Sequence, residues 1–318
     1  MFWRARTGML FVLMTVILVA IGTFIGAIFN AWSIGLIVML VLSVLLCIYS
    51  YYGSKGAALR ANNVHIITEY EEPRLYNIVK KLAEKADLPM PEVGISDTGM
   101  PNAFATGRNP KNAAVVATRG ILALLPDDEL EGVFAHELSH VKNRDILVMS
   151  IASTMASVIS FTSRYASYMV AFGGGNNENR GQMMLIAIAL SITVPIAALL
   201  VQLGVSRNRE YLADETGARM TGNPRALARA LKHIETGCAT TDDVYTENSY
   251  AGMMICNPFT GKNKRFLSSL FSTHPPTEER IRRLNKLAEE LGDNEERPKA
   301  KTAKKVPPKY EDNNQYLY

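Results

Sequence analysis

DDELEGVFAHELSHVK, residues 127–142, decides how the rest of the chain is read. Leu130, Val133, Phe134, Leu138 and Val141 recur at helical spacing, which predicts a helix with one apolar side. Asp127 or Asp128 is placed to cap it, and Glu129 and Glu131 put negative charge near its start, where the helix dipole favours it. His136 and His140 are four residues apart and so share a face. Both imidazoles can then bind one metal ion, with Glu137 beside them as general base, which is what a zinc peptidase needs. Two surface histidines on an ordinary helix would give the same pattern, so context has to decide.

A catalytic zinc takes three protein ligands and keeps its fourth place for water. The best candidate for the third is Glu210, in Arg209-Glu-Tyr-Leu-Ala-Asp214. Asp214 falls four residues further on, on the same helix face, where it can accept a hydrogen bond from a ligating imidazole and fix its tautomer. The alternative is that both are surface acids paired with Arg207 and Arg219.

The chain between His140 and Glu210 favours the ligand reading. From Thr7 to Ser54 there is no Asp, Glu, Lys, Arg or His, and the same holds for 146–163 and 181–206. A helix needs about 20 apolar residues to cross a bilayer. Crossings are therefore expected at about 8–29, 33–53, 146–170 and 182–205. The third is the weakest, because Ser and Thr are frequent and Arg164 interrupts it; a buried soluble helix is its alternative. Pro195 in the fourth is tolerated better in a membrane helix than in a soluble one. Two crossings after His140 return the chain to the side it left, so Glu210 emerges beside the histidines. Arg4, Arg6, Lys55, Arg60, Lys142, Arg144, Arg207 and Arg209 flank the runs on one side, which puts both termini and the large polar regions in the cytoplasm.

Five regions follow: a transmembrane hairpin at 1–54, the first part of a catalytic domain at 55–145, a second hairpin at 146–206, the second part of the catalytic domain at 207–292, and a tail at 293–318. The fold class is α+β, mainly α, with about four transmembrane helices joined to a cytoplasmic domain that holds a small sheet. Residues 69–86 read as an amphipathic helix; 93–96, 103–106 and 113–118 read as strands; 237–265 reads as a long loop. Further helices are expected after Arg209, through 225–234, and from Thr277. The Lys- and Pro-rich tail reads as disordered and solvated, with lysines able to touch anionic lipid. Cys47, Cys238 and Cys256 form no CxxC pair and read as reduced thiols. The net charge of +4 comes without a basic face interleaved with aromatics, so no nucleic-acid partner is expected.

HELSH at 136–140, Ser206-Arg-Asn-Arg-Glu-Tyr-Leu-Ala-Asp214 and Ser272-Thr-His-Pro-Pro-Thr-Glu-Glu-Arg-Ile281, in that order, closely resemble the HtpX-type membrane metalloproteases, grouped with the CAAX prenyl endopeptidases among the gluzincins. The resemblance covers about 1–290. It implies one Zn2+ per subunit held by His136, His140 and Glu210, Asp214 behind the ligands, and Glu137 as base. It implies that His274 helps to stabilise the reacting carbonyl. It also implies that Asn102, Ala103 and Phe104 belong to an edge strand to which an unfolded substrate segment adds by backbone pairing; Phe104 also reads as ordinary buried strand. The expected protein is a multi-pass enzyme of a prokaryotic plasma (inner) membrane. It would cleave misfolded membrane proteins under stress as quality control, and the chain could cut itself. Rival readings are a prenyl-peptide processing enzyme and a non-catalytic scaffold with structural zinc. The scaffold would need a fourth ligand, and no suitably placed Cys or His is evident.

Overall fold

The structure, a computed structural model, describes residues 2–28, 30–151, 207–240 and 275–292. The third and fourth expected membrane segments, except residues 146–151, lie outside the described residues, as do His274 and the basic tail.

The uncharged N-terminal run forms two helices, α1 (Phe2–Ile28) and α2 (Trp32–Ala61), joined through Asn30 and Ala31. They pack through small residues. A Cβ built on Gly22 would lie 2.8 Å from the Gly35 carbonyl oxygen, and Gly35 faces the Gly22 backbone in return. Such close approach of backbones is how helices associate where water supplies no driving force. Ile34, Ile37, Val38, Val41, Leu45 and Ile48 stay exposed along α2. Among the described residues α2 is the helix long and apolar enough to cross a membrane; α1 carries a shorter apolar stretch, Phe11–Phe24. At 30 residues α2 is about 45 Å long, against a hydrocarbon core of about 30 Å. Its excess length runs into the polar domain. There Lys55 pairs with Glu92 at 2.6 Å, and the Ser96 hydroxyl donates to the Asn62 carbonyl at 2.6 Å.

The sheet that follows has four strands: β1 (Val64–Ile66), β2 (Glu92–Ser96), β3 (Ala103–Gly107) and β4 (Ala113–Thr118). Their order is β1-β2-β4-β3, with β2 and β4 parallel and both outer pairs antiparallel. Side chains alternate across a strand, so each face of the sheet finds its own cover. Val93, Ile95, Ala103, Ala105, Val115 and Ala117 face the main core. Phe104 and Val116 face the other way, against Ala58 of α2. This double burial gives Phe104 a packing role.

Helix α3 (Pro73–Ala86) starts later than its periodicity predicts, because Pro73 occupies the first turn, where its missing N–H costs nothing. It lays Leu75, Val79 and Leu82 into the core. A short helix α4 (Arg119–Leu124) precedes α5 (Asp127–Lys142), which crosses the domain with Leu130, Phe134 and Leu138 fully buried. The expected Asp cap of α5 is corrected. Pro126 is the N-cap and provides no side-chain bond, while Asp127, Asp128 and Glu129 supply charge in the first turn. Helices α6 (Arg207–Thr221), α7 (Pro224–Thr240) and α8 (Thr277–Glu290) complete the domain. Residues 237–240, expected in a loop, are the last turn of α7, with Gly237 close against Leu124 and Pro101. The reduced-thiol expectation is corrected at Cys238, which is disulfide-bonded; Cys47 is free.

Residues 145–151 begin another helix. Leu147 and Ile151 bury against Phe11, Leu18, Leu46, Cys47 and Tyr51, so this helix starts inside the N-terminal hairpin.

Candidate metal centre

Helices α5 and α6 meet at the histidines. A Cβ on Gly217 of α6 would lie 2.8 Å from the His136 backbone nitrogen and 2.9 Å from the Ala135 carbonyl carbon. Only a glycine permits this approach. It puts the first turn of α6, with Glu210, opposite the HELSH turn of α5. His136, His140 and Glu210 are 2%, 2% and 1% exposed.

The two imidazoles stand perpendicular, and their Nε2 atoms converge to 3.2 Å. Glu210 closes the triangle, with Oε1 at 3.4 Å from His140 Nε2 and Oε2 at 3.7 Å from His136 Nε2. A tetrahedral ion with ligand bonds of about 2.0–2.1 Å holds its ligands about 3.3 Å apart. The three donors therefore already form one face of such a tetrahedron, and their chemistry, two imidazole nitrogens and a carboxylate, suits Zn2+. They are the group of residues able to hold a metal ion among those described.

The other ring nitrogens turn away from this point. His136 Nδ1 lies 2.9 Å from Asp214 Oδ1. The Arg280 guanidinium, on α8, grips Asp214 with two parallel hydrogen bonds of 2.8 and 2.6 Å. This fork-to-fork pairing suits Arg and not Lys. A carboxylate beside Nδ1 keeps the proton there and leaves the Nε2 lone pair for a metal. On the far side, His140 Nδ1 lies 3.6 Å from Asp145 Oδ2, and Arg209 donates to Asp145 Oδ1 at 3.3 Å.

Charge follows this layering. Burial alone would lower the pKa of His136, but the Asp214 and Glu210 carboxylates carry it up to about 9. Burial would raise Asp214, but Arg280 and His136 hold it down to about 2. Against its own burial, Arg280 is raised above its ordinary value by Asp214, with Glu210 and Glu137 adding to the effect.

Of the residues expected at the site, His136, Glu137, His140, Glu210 and Asp214 come together, all buried, on the two facing helices. Asn102, Ala103 and Phe104 lie at the start of β3, at the edge of the sheet, where α5 packs. The Asn102 backbone turns inward: its N–H donates to Thr118 Oγ1 and its carbonyl accepts from the Thr118 N–H. The period-2 ladder then aims the Ala103 and Ala105 backbone groups outward. Arg280, Asp145 and Arg209 were not among the residues expected at the site. Arg280 was detectable as a charge in the apolar stripe of Leu284 and Leu287. Asp145 and Arg209 gave no comparable signal.

Residues 69–288 match the family model described as peptidase family M48. Among curated relatives, a "Protease HtpX homolog" from Thermococcus sibiricus is 45% identical over 290 residues, covering 90% of this chain and 97% of that protein. One from Pyrococcus furiosus is 44% identical, covering 90% and 96%. One from Syntrophobacter fumaroxidans is 43% identical, covering 89% and 99%. Among solved structures, Ste24p of S. mikatae aligns with a TM-score of 0.49 at 18% identity, covering 84% of this chain and 62% of that one.

Proposed function

We propose, from the premise that this chain belongs to peptidase family M48 and is a metalloendopeptidase, that it cuts polypeptides at the cytoplasmic face of a membrane with one Zn2+ held by His136, His140 and Glu210. The observation that carries the zinc reading is the spacing of three buried donors at 3.2, 3.4 and 3.7 Å.

When bound, zinc lowers the pKa of a water and polarises the scissile carbonyl. Glu137 follows His136 on α5 and acts as the base that takes a proton from the attacking water, then returns it to the leaving amine. Asp214, clamped by Arg280, keeps the His136 proton on Nδ1. His274 donates to the developing oxyanion. That role rests on the resemblance of residues 272–281 to the family's motif, and His274 itself lies outside the described residues. A substrate segment lies along the outward backbone groups of Ala103 and Ala105, with Asn102 and Phe104 shaping the strand from behind.

The membrane placement rests on the exposed apolar face of α2, on its length, and on the burial of Leu147 and Ile151 in the hairpin. The expected substrates are cytoplasmic segments of damaged membrane proteins, with self-cleavage as a side reaction and quality control under stress as the role. The test is purification in detergent with chelator, incubation with casein with and without zinc add-back, and mass spectrometry of the products. Endoproteolytic fragments that appear only with metal are expected. Chelator-insensitive cleavage, or none at all with stoichiometric zinc, would contradict the proposal.

A further inference from the structure

Asp214 backs one metal-site histidine, and the second histidine has a counterpart on the opposite side. His140 Nδ1 and Asp145 Oδ2 are both buried, face each other at 3.6 Å, and have no hydrogen-bond partner among the described residues. Two unsatisfied buried polar atoms at this separation are costly apart and gain a bond from a closing movement of about half an ångström. Asp145 is brought under the ring by a local turn. α5 ends at Lys142, Arg144 takes a left-handed backbone (φ 60°), and the next helix starts with Asp145. A non-glycine residue in that region costs on the order of 1 kcal/mol, so the turn is maintained against a local preference. The other carboxylate oxygen, Oδ1, is taken by Arg209, the residue before Glu210.

We propose that Asp145 is the positioning residue for His140: held by Arg209, it accepts the Nδ1 proton and aims Nε2 at the metal. Each histidine then has a carboxylate behind it and an arginine behind the carboxylate, as His136–Asp214–Arg280 and His140–Asp145–Arg209. The second chain sits where the polypeptide leaves for residues 146–206 and where it returns. It therefore joins the neck of that segment to two of the three ligands. The inference rests on the zinc reading above.

The experiment uses the full chain in detergent. Zinc affinity is measured by competition with a chromophoric chelator, and the ligand field by the visible spectrum of the Co2+-loaded protein. Asp145→Ala should weaken zinc about 10- to 100-fold, the usual loss when a hydrogen-bond partner behind a ligand is removed. Asp145→Asn, which keeps an acceptor of the same shape without the charge, should fall between Asp145→Ala and the parent and should shift the Co2+ bands. Arg209→Ala should lose less than Asp145→Ala. Asp145→Asn with the affinity and Co2+ spectrum of the parent overturns the inference, whether or not Asp145→Ala folds. Arg209→Ala reproducing the full loss of Asp145→Ala also overturns it, because the pair would then serve only to hold the neck. A parent chain that takes up no zinc fails the zinc reading itself; a zinc-loaded parent with a parent-like Asp145→Asn fails this inference alone.

Discussion

In the proposed mechanism Glu137 does work that neither histidine can do, so its replacement should separate metal binding from chemistry. Glu137→Gln removes the base and keeps the ligands. It should retain one zinc per chain while casein cleavage falls about 10²- to 10⁴-fold, checked by elemental analysis beside the assay. Glu210→Ala should instead lose both metal and activity. Arg280 is tested by stability. Arg280→Met leaves the buried Asp214 carboxylate with His136 as its remaining partner, which costs up to about 3–5 kcal/mol. A fall in the unfolding temperature of the metal-free protein would show it. Arg280→Lys should recover little, because one ammonium cannot give two parallel donors. The convergence of His136 and His140 was legible in the sequence because four-residue spacing on a helix is itself geometry. Asp145 and Arg209 were not legible, and Arg280 showed only as a charge in an apolar stripe, because their partners arrive through tertiary packing from distant positions. No local pattern records that Arg209 will meet Asp145 or that Arg280 will meet Asp214.

The meeting of α5 and α6 depends on one missing side chain. Gly217→Ala places a methyl against the His136 and Ala135 backbone, which cannot yield as a flexible side chain would. Such overpacking costs about 1–3 kcal/mol. Because α6 carries Glu210, the substitution should also weaken zinc, measurable by the same chelator competition. Gly222→Ala is the control. Gly222 has open space around it and a φ of +70°, so the substitution should cost about 1 kcal/mol through backbone strain and leave zinc affinity unchanged. Long elements were readable: α3 and α5 stand close to where their apolar spacing puts them, and α8 starts at Thr277 as its sequence predicts. The short ones were not. β1 has three residues with little burial and exists because β2 pairs with it, and α4 is six residues long. The end of α7 was missed because Gly237, which weakens a helix locally, is held there by packing against Leu124 and Pro101.

Across the molecule, α2 ties an apolar hairpin to the sheet that carries the candidate substrate edge, so the candidate membrane helix and the candidate site share one element. If the polar domain is cytoplasmic, a single thiol placed at Ala31 should be labelled by an impermeant reagent from outside the cell, and a reporter fused after Tyr318 should stay inside. Labelling of Ala31→Cys only after lysis would reverse the orientation. The two apolar helices of the N-terminal hairpin were legible because charge is absent from Thr7 to Ser54. The crossings whose parity predicted the meeting of α5 and α6 lie, except for residues 146–151, outside the described residues, and it is the contact at Gly217 that brings the two helices together. In the proposed centre, two imidazoles and one distant carboxylate hold a zinc ion at the junction of α5 and α6. X-ray absorption at the zinc edge of the purified full chain tests it most directly. One zinc per chain is expected, with only nitrogen and oxygen neighbours at about 2.0–2.1 Å, two of them imidazoles, and the signal should vanish in Glu210→Ala. Substoichiometric metal, a sulfur neighbour at about 2.3 Å, or an unchanged spectrum in Glu210→Ala would contradict it.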